Sequence, residues 1–141
     1  MIVNRSVPHS VVIPVLTYED VAEASEWLCR AFGFKERLRV GNHRAQLVFG
    51  DGGVIITAGR RARGDDTDPV SHAVHVRIDD ADRHHEQAKR SGARIIREPT
   101  DYSYGERQYS AVDLAGHHWT FSQSIADVDP TSWGGTAIQS D

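Results

Sequence analysis

The feature that most constrains this chain is an internal repeat. The order strand, helix, strand, strand, strand is predicted twice, and the second copy follows the first by about 60 residues. An aspartate opens each predicted helix, at Asp20 and Asp80, and a glycine follows within 13 positions, at Gly33 and Gly92. Aspartate is a favoured helix N-cap and glycine a favoured helix terminator. Because one such unit cannot bury its sheet alone, the two units should share one domain.

The first unit is predicted between about residues 8 and 58. Its helix follows from apolar residues at helical spacing, and its strands follow from β-branched or alternating residues between glycine-containing turns. The predicted elements are a strand at Ser10–Leu16, a helix within Thr17–Phe32, and strands at Phe34–Val40, His43–Phe49 and Val54–Thr57. Pro14 lies inside the first strand, which predicts an edge position or a bulge.

The second unit is predicted between about residues 71 and 123. Its elements are a strand at His72–Ile78, a helix at Ala81–Ser91, a strand at Ala93–Arg97, and a hairpin of Tyr109–Asp113 and His117–Ser122. The polar, charged run 59–70 predicts a solvated linker between the units. Residues 124–141 form a tail, in which we expect Trp133 to dock on the domain or on a partner subunit.

These elements predict an α+β fold in which two βαβββ modules pair curved mixed sheets into a cleft, with helices over the outer faces. The 141 residues suit a single domain and are enough to bury one core. Charged residues make up 26% and hydrophobic residues 39%, as in ordinary globular proteins.

Composition excludes several classes of function. The net charge of −4 offers no basic surface for nucleic acid or an anionic membrane. No apolar run reaches the roughly 18 residues that cross a bilayer, and the first residues lack a signal-peptide pattern, so a cytoplasmic protein is expected. The single cysteine, Cys29, cannot form a disulfide within the chain. It is interpreted as a small buried residue of the first helix, and a catalytic thiol is the alternative.

Three segments carry a family resemblance: VVIPVLTYEDVAEASEWLCRAFGF, HAVHVRIDDADRHHEQAKRSGARI and YGERQYSAVDLAGHHWTF. In order and spacing they resemble the vicinal oxygen chelate (VOC) superfamily, which includes glyoxalase I, extradiol dioxygenases, and bleomycin- and fosfomycin-resistance proteins. The resemblance covers about residues 8–123 and is strongest to the glyoxalase/bleomycin-resistance branch. It implies the glyoxalase/bleomycin resistance/dihydroxybiphenyl dioxygenase fold and a homodimer, since members often share clefts between subunits.

The enzymes of that superfamily hold a divalent metal in the cleft, at four equivalent strand positions. The family spacing, counted from the helix-opening aspartates and the turn glycines, places those positions at Ile13, Ile56, Ala73 and Thr120. None is a usual metal ligand. If the count is shifted by one residue, the indicated side chains lie on the opposite face of each strand. Even then, His72 is the only usual metal ligand among the shifted positions. We therefore expect no metal and no other cofactor, with a non-standard divalent metal site as the alternative.

Strand alternation assigns side chains to faces of the second sheet. If Ala73 and Thr120 face the cleft, the polar side chains of His75, Arg77, His118 and Ser122 face it too. The apolar side chains then face the helix, and they are Val74, Val76, Ile78, Trp119 and Phe121. In the first module the same rule gives the cleft an apolar wall of Val11, Ile13 and Val15. Arg44 and Gln46 alternate with Ala45 and Leu47 on the third strand, so one or both are cleft candidates, with a solvent-facing edge strand as the alternative.

The sequence has eight histidines. His75 and His118 are the only pair that alternation places in one cleft. Each is interpreted as a surface or core histidine, or alternatively as a general base for a metal-independent reaction.

The loop PTDYSYGERQY brings Tyr102, Tyr104, Arg107 and Tyr109 together in sequence. Aromatic rings with an arginine suit a flat, partly anionic organic ligand. In the alternative interpretation, Tyr104 and Tyr109 close the bottom of the core, and Arg107 pairs with Glu106 or an aspartate.

These observations favour a metal-independent small-molecule binding protein of the bleomycin-resistance type, which would sequester an organic compound or antibiotic. The first alternative is a glyoxalase-like lyase, isomerase or dioxygenase that uses a cleft histidine or a non-standard metal site. The second is a non-catalytic dimeric scaffold. The charge of the ligand stays open, because the acidic chain would attract a cation whereas Arg77 and Arg107 would attract an anion.

Overall fold

The computed structural model describes residues 4–59 and 72–136. The predicted linker therefore lies, except for Gly59, outside the described residues, and the division into modules, linker and tail stays a prediction. The first half contains strand β1 (Val15–Tyr18), helix α1 (Val21–Phe32), and strands β2 (Lys35–Val40), β3 (Arg44–Phe49) and β4 (Gly52–Ala58). The second half contains β5 (Val74–Arg77), α2 (Ala81–Arg90), β6 (Arg94–Tyr102), β7 (Glu106–Val112) and β8 (His118–Ser124), followed by a short 3₁₀ helix, Pro130–Trp133.

The described strands form two four-stranded mixed sheets. Sheet A has the order β1-β4-β3-β2, and sheet B has the equivalent order β5-β8-β7-β6. In each sheet the first strand pairs parallel to the last, and the other neighbours are antiparallel. This topology confirms the α+β fold with two βαβββ modules.

Several strands differ from their predicted limits, and two of these differences involve a proline. The predicted strand at Ser10–Leu16 starts only at Val15, although the Ile55 N–H donates to the Pro14 carbonyl at 2.9 Å. In sheet B, the strand predicted at Ala93–Arg97 continues as β6 through Pro99 to Tyr102. Proline fits there because β6 is an edge strand with register shifts between Ile95 and Thr100.

The helices begin where the sequence predicts their caps. Asp20 accepts the Glu23 N–H at 3.0 Å, and Asp80 accepts the Arg83 N–H at 3.1 Å. Gly33 ends α1 at φ 87°, a left-handed conformation that glycine adopts without steric cost. None of the helices in the described part of the chain has the length and apolarity needed to cross a membrane.

The two modules share one apolar core. The Trp27 indole N–H of α1 donates to the Ser91 carbonyl at the end of α2, at 3.0 Å. At the end of α1, the Phe32 ring lies 5.4 Å from the Trp119 ring and 4.8 Å from the Phe121 ring, centroid to centroid. Apolar side chains of both sheets join these rings in a single buried cluster. The modules are therefore held together by burial and not by strand pairing.

A buried turn before β8 also joins the modules. Oδ1 of Asp113 accepts two backbone N–H groups from within the turn, including that of His117 at 3.0 Å. Its Oδ2 accepts the Tyr18 hydroxyl at 2.7 Å and the Trp119 indole N–H at 3.0 Å. The His117 Nε2 in turn donates to the Thr17 carbonyl at 2.7 Å. The turn thus connects the end of β1 to the start of β8.

Candidate functional site

A groove of about 1000 Å³ separates the edge strands β1 and β5. This is the size of a pocket for an organic ligand. Its apolar lining consists of Val12, Pro14, Val15, Leu16, Phe34, Phe49, Val54, Ala73, Val74, Val76 and Ile78. His75 and Arg77 also line the groove, and both side chains are exposed. The groove therefore combines apolar walls with a polar rim on β5.

The rim continues into a polar face of sheet B. Alternation turns the apolar side chains of β5, β7 and β8 toward α2, and they include Val74, Val76, Tyr109, Ala111, Trp119 and Phe121. The opposite face is polar, and we call it the polar face: His75, Arg77, Glu106, Gln108, Ser110, His118, Thr120, Ser122 and Ser124. His75, Arg77, His118, Thr120 and Ser122 thus lie on the face that strand alternation predicts.

Hydrogen bonds connect the side chains of the polar face. Ser110 Oγ and Thr120 Oγ1 are 3.0 Å apart. The Ser122 hydroxyl donates to Glu106, and His75 Nε2 lies 3.6 Å from Glu106 Oε1. The hydroxyls of Ser110, Thr120 and Ser122 therefore each have a polar neighbour, and among them Ser122 is buried.

The four positions that the family spacing indicates do not all face the groove. Ala73 is exposed on the groove and Thr120 lies on the polar face, whereas Ile13 is half-buried before β1. The placement of Ile56 was wrong, because its side chain is fully buried in the core. Ile55 occupies the opposite face of β4, because successive side chains of a strand alternate between its two faces.

These residues do not fit a divalent metal. Isoleucine and alanine side chains carry no donor atom, and the Thr120 hydroxyl is hydrogen-bonded to Ser110. Among residues 4–59 and 72–136, no three histidine, cysteine, aspartate or glutamate side chains lie close enough together to share a metal ion.

Tyr109 lies in the core and not on the polar face, which corrects its candidacy as a cleft residue and agrees with the alternative interpretation of the loop. Its hydroxyl is hydrogen-bonded to Nδ1 of His84, and His84 Nε2 lies 2.8 Å from the Phe32 carbonyl. A carbonyl only accepts, so Nε2 carries the proton and Nδ1 accepts from the tyrosine. Burial raises the pKa of Tyr109 and lowers the pKa of His84. No local sequence pattern indicates this contact, because the partners belong to three different elements.

Arg107 is also absent from the polar face. Its guanidinium pairs with Asp82 of α2 and with Asp101 of β6, with N···O distances of 2.9 Å to each. This is the aspartate pairing that the alternative interpretation of the loop described. Arg77 is then the arginine among the predicted cleft residues that remains beside the groove.

Gln46 lies on the face of sheet A opposite α1, but it is buried under the N-terminal segment 4–14. Its Nε2 donates to the Ser6 carbonyl at 2.8 Å, and its Oε1 accepts from Arg37. The buried Pro8 packs against Gly53, where a Cβ would lie 2.9 Å from the Pro8 Cβ. The segment thus shields Gln46 from any ligand, which corrects its candidacy as an accessible cleft residue.

Tyr104 lies at the turn between β6 and β7. Its ring stacks on Tyr102 with centroids 5.3 Å apart and an angle of 13°. Trp133 of the tail contacts it edge-on at 5.5 Å, so this tryptophan docks on its own domain. Partial burial, followed by the nearby Tyr102 and Glu106, raises the pKa of Tyr104.

Sequence reasoning missed three residues of the polar face: Glu106, Gln108 and Ser110. The predicted strand began at Tyr109, whereas β7 begins at Glu106. Extending the alternation back from the buried Tyr109 and Ala111 would have placed all three on the opposite face. The alternation pattern therefore predicts the face of these three residues, but only once the strand is known to begin at Glu106.

Comparison with known proteins agrees with this architecture. TioX from Micromonospora sp. ML1 is 31% identical, with a TM-score of 0.68 over 82% of this chain and 99% of that one. The fosfomycin resistance protein FosX from Listeria monocytogenes is 15% identical with a TM-score of 0.67, over 81% of this chain and 90% of that one, and shares the fold. A Mycobacterium bovis protein, Mb0911c, is 24% identical over 128 residues, 82% of this chain and 84% of its own length.

The model of one protein family matches most of the sequence, from residue 8 to residue 121. Its limits include both helices, the groove between β1 and β5, and all eight described strands except the last three residues of β8. The chain belongs to the glyoxalase/bleomycin resistance protein/dioxygenase superfamily.

Proposed function

We propose that the protein binds a small organic molecule without a metal, in the groove and on the adjoining polar face. One observation carries this proposal: a cavity of about 1000 Å³ has apolar walls and carries the polar side chains of His75 and Arg77 along its β5 rim. Such a cavity removes apolar ligand surface from water, and a few polar groups fix its orientation. By analogy with the resistance proteins of the superfamily, the ligand is an antibiotic or a related natural product that the protein sequesters.

The charge of the ligand is less constrained than the sequence indicated. Arg107 is neutralised by two aspartates away from the polar face. The remaining charges beside the groove and on the polar face are Arg77, Asp51, Asp79 and Glu106. Because the acidic groups outnumber the arginine, a neutral or cationic ligand rich in hydrogen-bonding groups suits the site best.

A ligand screen with a groove-filling variant tests the proposal. Ala73 is exposed on the groove, so Ala73→Trp should fill the groove without disturbing the core. Wild-type protein should show a thermal shift and calorimetric binding with at least one natural product, and Ala73→Trp should bind it at least tenfold more weakly. Lys89→Trp, on the exposed side of α2, is the matched control and should bind like the wild type. Equal binding by Ala73→Trp would refute the groove as the site.

We also propose a homodimer, supported by exposed apolar residues beside the groove. Val11 is 86% exposed, Val12 80% and Val15 55%. They lie at or next to β1, an edge strand whose outer side makes no pairing among the described strands. Exposed apolar groups and free strand edges are typical of protein interfaces. A second copy of the chain could cover both.

Sedimentation velocity measures this association. The wild type should sediment as a dimer at micromolar concentration, and Val12→Glu should shift it to monomer because a charge would be buried in the interface. Val40→Glu is the control, since Val40 is exposed on the opposite edge of sheet A. A wild-type monomer at 100 μM would contradict the proposal.

A second candidate function is metal-independent proton transfer. The observation that favours it is the 3.6 Å approach of His75 Nε2 to Glu106 Oε1 on an open face. Imidazole and carboxylate are the usual general bases of enzymes. Exchange of the α-protons of 2-oxo acids and 2-hydroxy aldehydes with deuterium, followed by NMR, should then be faster with wild type than with His75→Gln. Equal rates in the two proteins would exclude this role of His75.

A further inference from the structure

We infer that Asp51 and Asp79 determine the charge of the ligand, because they bind a protonated amine at one end of the groove. The inference rests on the proposed function and deepens it by naming the class of compound that the groove takes. That class is an organic amine in which an apolar body carries one cationic group. The two aspartates are the specificity-determining residues.

Both aspartates line the groove and lie at the same end of it. Asp51 is in the turn between β3 and β4, shortly after Phe49. Asp79 lies between β5 and α2, and the first turn of α2 contains His84. The rings of Phe49 and His84 are 6.4 Å apart, centroid to centroid. The two carboxylates therefore belong to the end of the groove that Phe49 borders.

Both carboxylates lack a counter-ion in the part of the chain that the structure describes. Within that part, no lysine, arginine or histidine forms an ion pair with Asp51 or Asp79. Other exposed aspartates differ in this respect, since Asp82 and Asp101 share the Arg107 guanidinium. Two negative charges of this kind attract a cationic ligand and repel an anionic one.

The arginine of the groove is held on the polar face. Although Asp79 is close to Arg77 in sequence, the Arg77 Nη2 donates to the Ser124 Oγ at 3.3 Å. Ser124 belongs to β8, which is the neighbour of β5 within sheet B, whereas β1 on the other side of the groove belongs to sheet A. The guanidinium therefore extends away from β1, and the aspartates supply the charge at their end of the groove.

The apolar walls of the groove strengthen an ionic contact at this end. Phe34 and Phe49 both line the groove, and their ring centroids are 5.4 Å apart. Apolar walls exclude water and lower the local dielectric constant, so an ammonium group is attracted more strongly there than on an open surface. The same walls can bury the apolar body of the ligand. The groove is thus suited to an amphipathic amine.

Three probes with the same apolar body test the inference. 4-Phenylbutylamine is a cation, 4-phenylbutanol is neutral, and 4-phenylbutyrate is an anion. At pH 8 the amine is charged and histidine is largely neutral, so calorimetry is done at that pH. The dissociation constant of the amine should be about threefold lower than that of the alcohol, and about tenfold lower than that of the carboxylate. Added salt should weaken binding of the amine and leave binding of the alcohol unchanged.

Removing the two charges should remove the preference for the amine. Asp51→Asn and Asp79→Asn should each weaken amine binding about twofold, and the double variant should bind amine and alcohol about equally. Asp127→Asn, at an exposed aspartate after β8, is the matched control and should keep the wild-type preference. Because Asp79 precedes the helix cap Asp80, circular dichroism should confirm that its variant keeps the fold.

The groove-filling variant separates this inference from the proposed function. Ala73→Trp should weaken binding of the amine and the alcohol alike, because both occupy the groove. If it does so while the double aspartate variant keeps the preference for the amine, the groove stands and the inference is overturned. Equal affinity of the wild type for the three probes, or no binding of the amine, would also overturn it. Binding that Ala73→Trp leaves intact would refute the groove as the site, and the inference with it.

Discussion

The Asp113 carboxylate should be one of the most sensitive positions for stability. It is buried and accepts four hydrogen bonds, two from backbone N–H groups and two from the side chains of Tyr18 and Trp119. Replacement by alanine removes all four acceptor contacts and leaves the Trp119 indole N–H buried without its acceptor. Breaking a buried charged network of this kind costs about 3–5 kcal/mol. Since domains unfold at roughly 5–15 kcal/mol, Asp113→Ala should be close to unfolding.

The substitution Asp113→Asn removes the charge of the side chain but keeps nearly the same shape. The amide oxygen of the asparagine can still accept the two backbone N–H groups, but its NH₂ would then face the Trp119 N–H. An indole N–H donates only, so two donors would oppose each other, whereas the Tyr18 hydroxyl can rotate to accept. We expect Asp113→Asn to lower the free energy of unfolding by about 2–3 kcal/mol, and Tyr18→Phe by about 1 kcal/mol.

Urea unfolding followed by tryptophan fluorescence measures these differences. Asp127→Asn, at an exposed aspartate after β8, is the matched control and should stay within about 0.5 kcal/mol of the wild type. An Asp113→Asn protein as stable as that control would refute the reasoning, because it would show that neither the charge nor the opposed donors matter.

Three further predictions concern other contacts. Burial lowers the pKa of His84, so the unfolded chain takes up its proton at a higher pH than the folded chain. The free energy of unfolding should therefore fall as the pH drops below about 6.5, and urea titrations should show a weaker fall in His84→Gln. Gly105→Ala should cost at least about 2 kcal/mol in urea unfolding, because its Cβ would lie 2.4 Å from the Ala126 carbonyl oxygen. Gly50→Ala, at positive φ with nothing within 4 Å, should cost only about 1 kcal/mol. Trp27→Phe should lower the melting temperature by several degrees through loss of its bond to Ser91.

The sequence by itself determined the repeat, the element order and the caps of the helices. Asp20, Asp80 and Gly33 act through neighbours within four residues, and local preferences of this range can be read directly from the chain. The faces of β5 and β8 followed for the same reason: alternation along a strand depends only on the backbone geometry. His75 and Thr120 were placed on one face on this basis.

Only the tertiary structure decided which predicted residues are accessible. Arg107 pairs with Asp82, Tyr109 is hydrogen-bonded to His84, and Gln46 is hydrogen-bonded to Ser6 and covered by its segment. Each contact joins residues more than 20 positions apart in sequence. Ile56 was misplaced because the face of β4 that is buried is decided by packing in the core, and the count from Gly52 does not contain that information. Long-range contacts and strand limits depend on the free energy of burying the whole core. A local sequence pattern does not predict that free energy. The groove is likewise a tertiary feature, because the strands that line it, β1 and β5, belong to different modules.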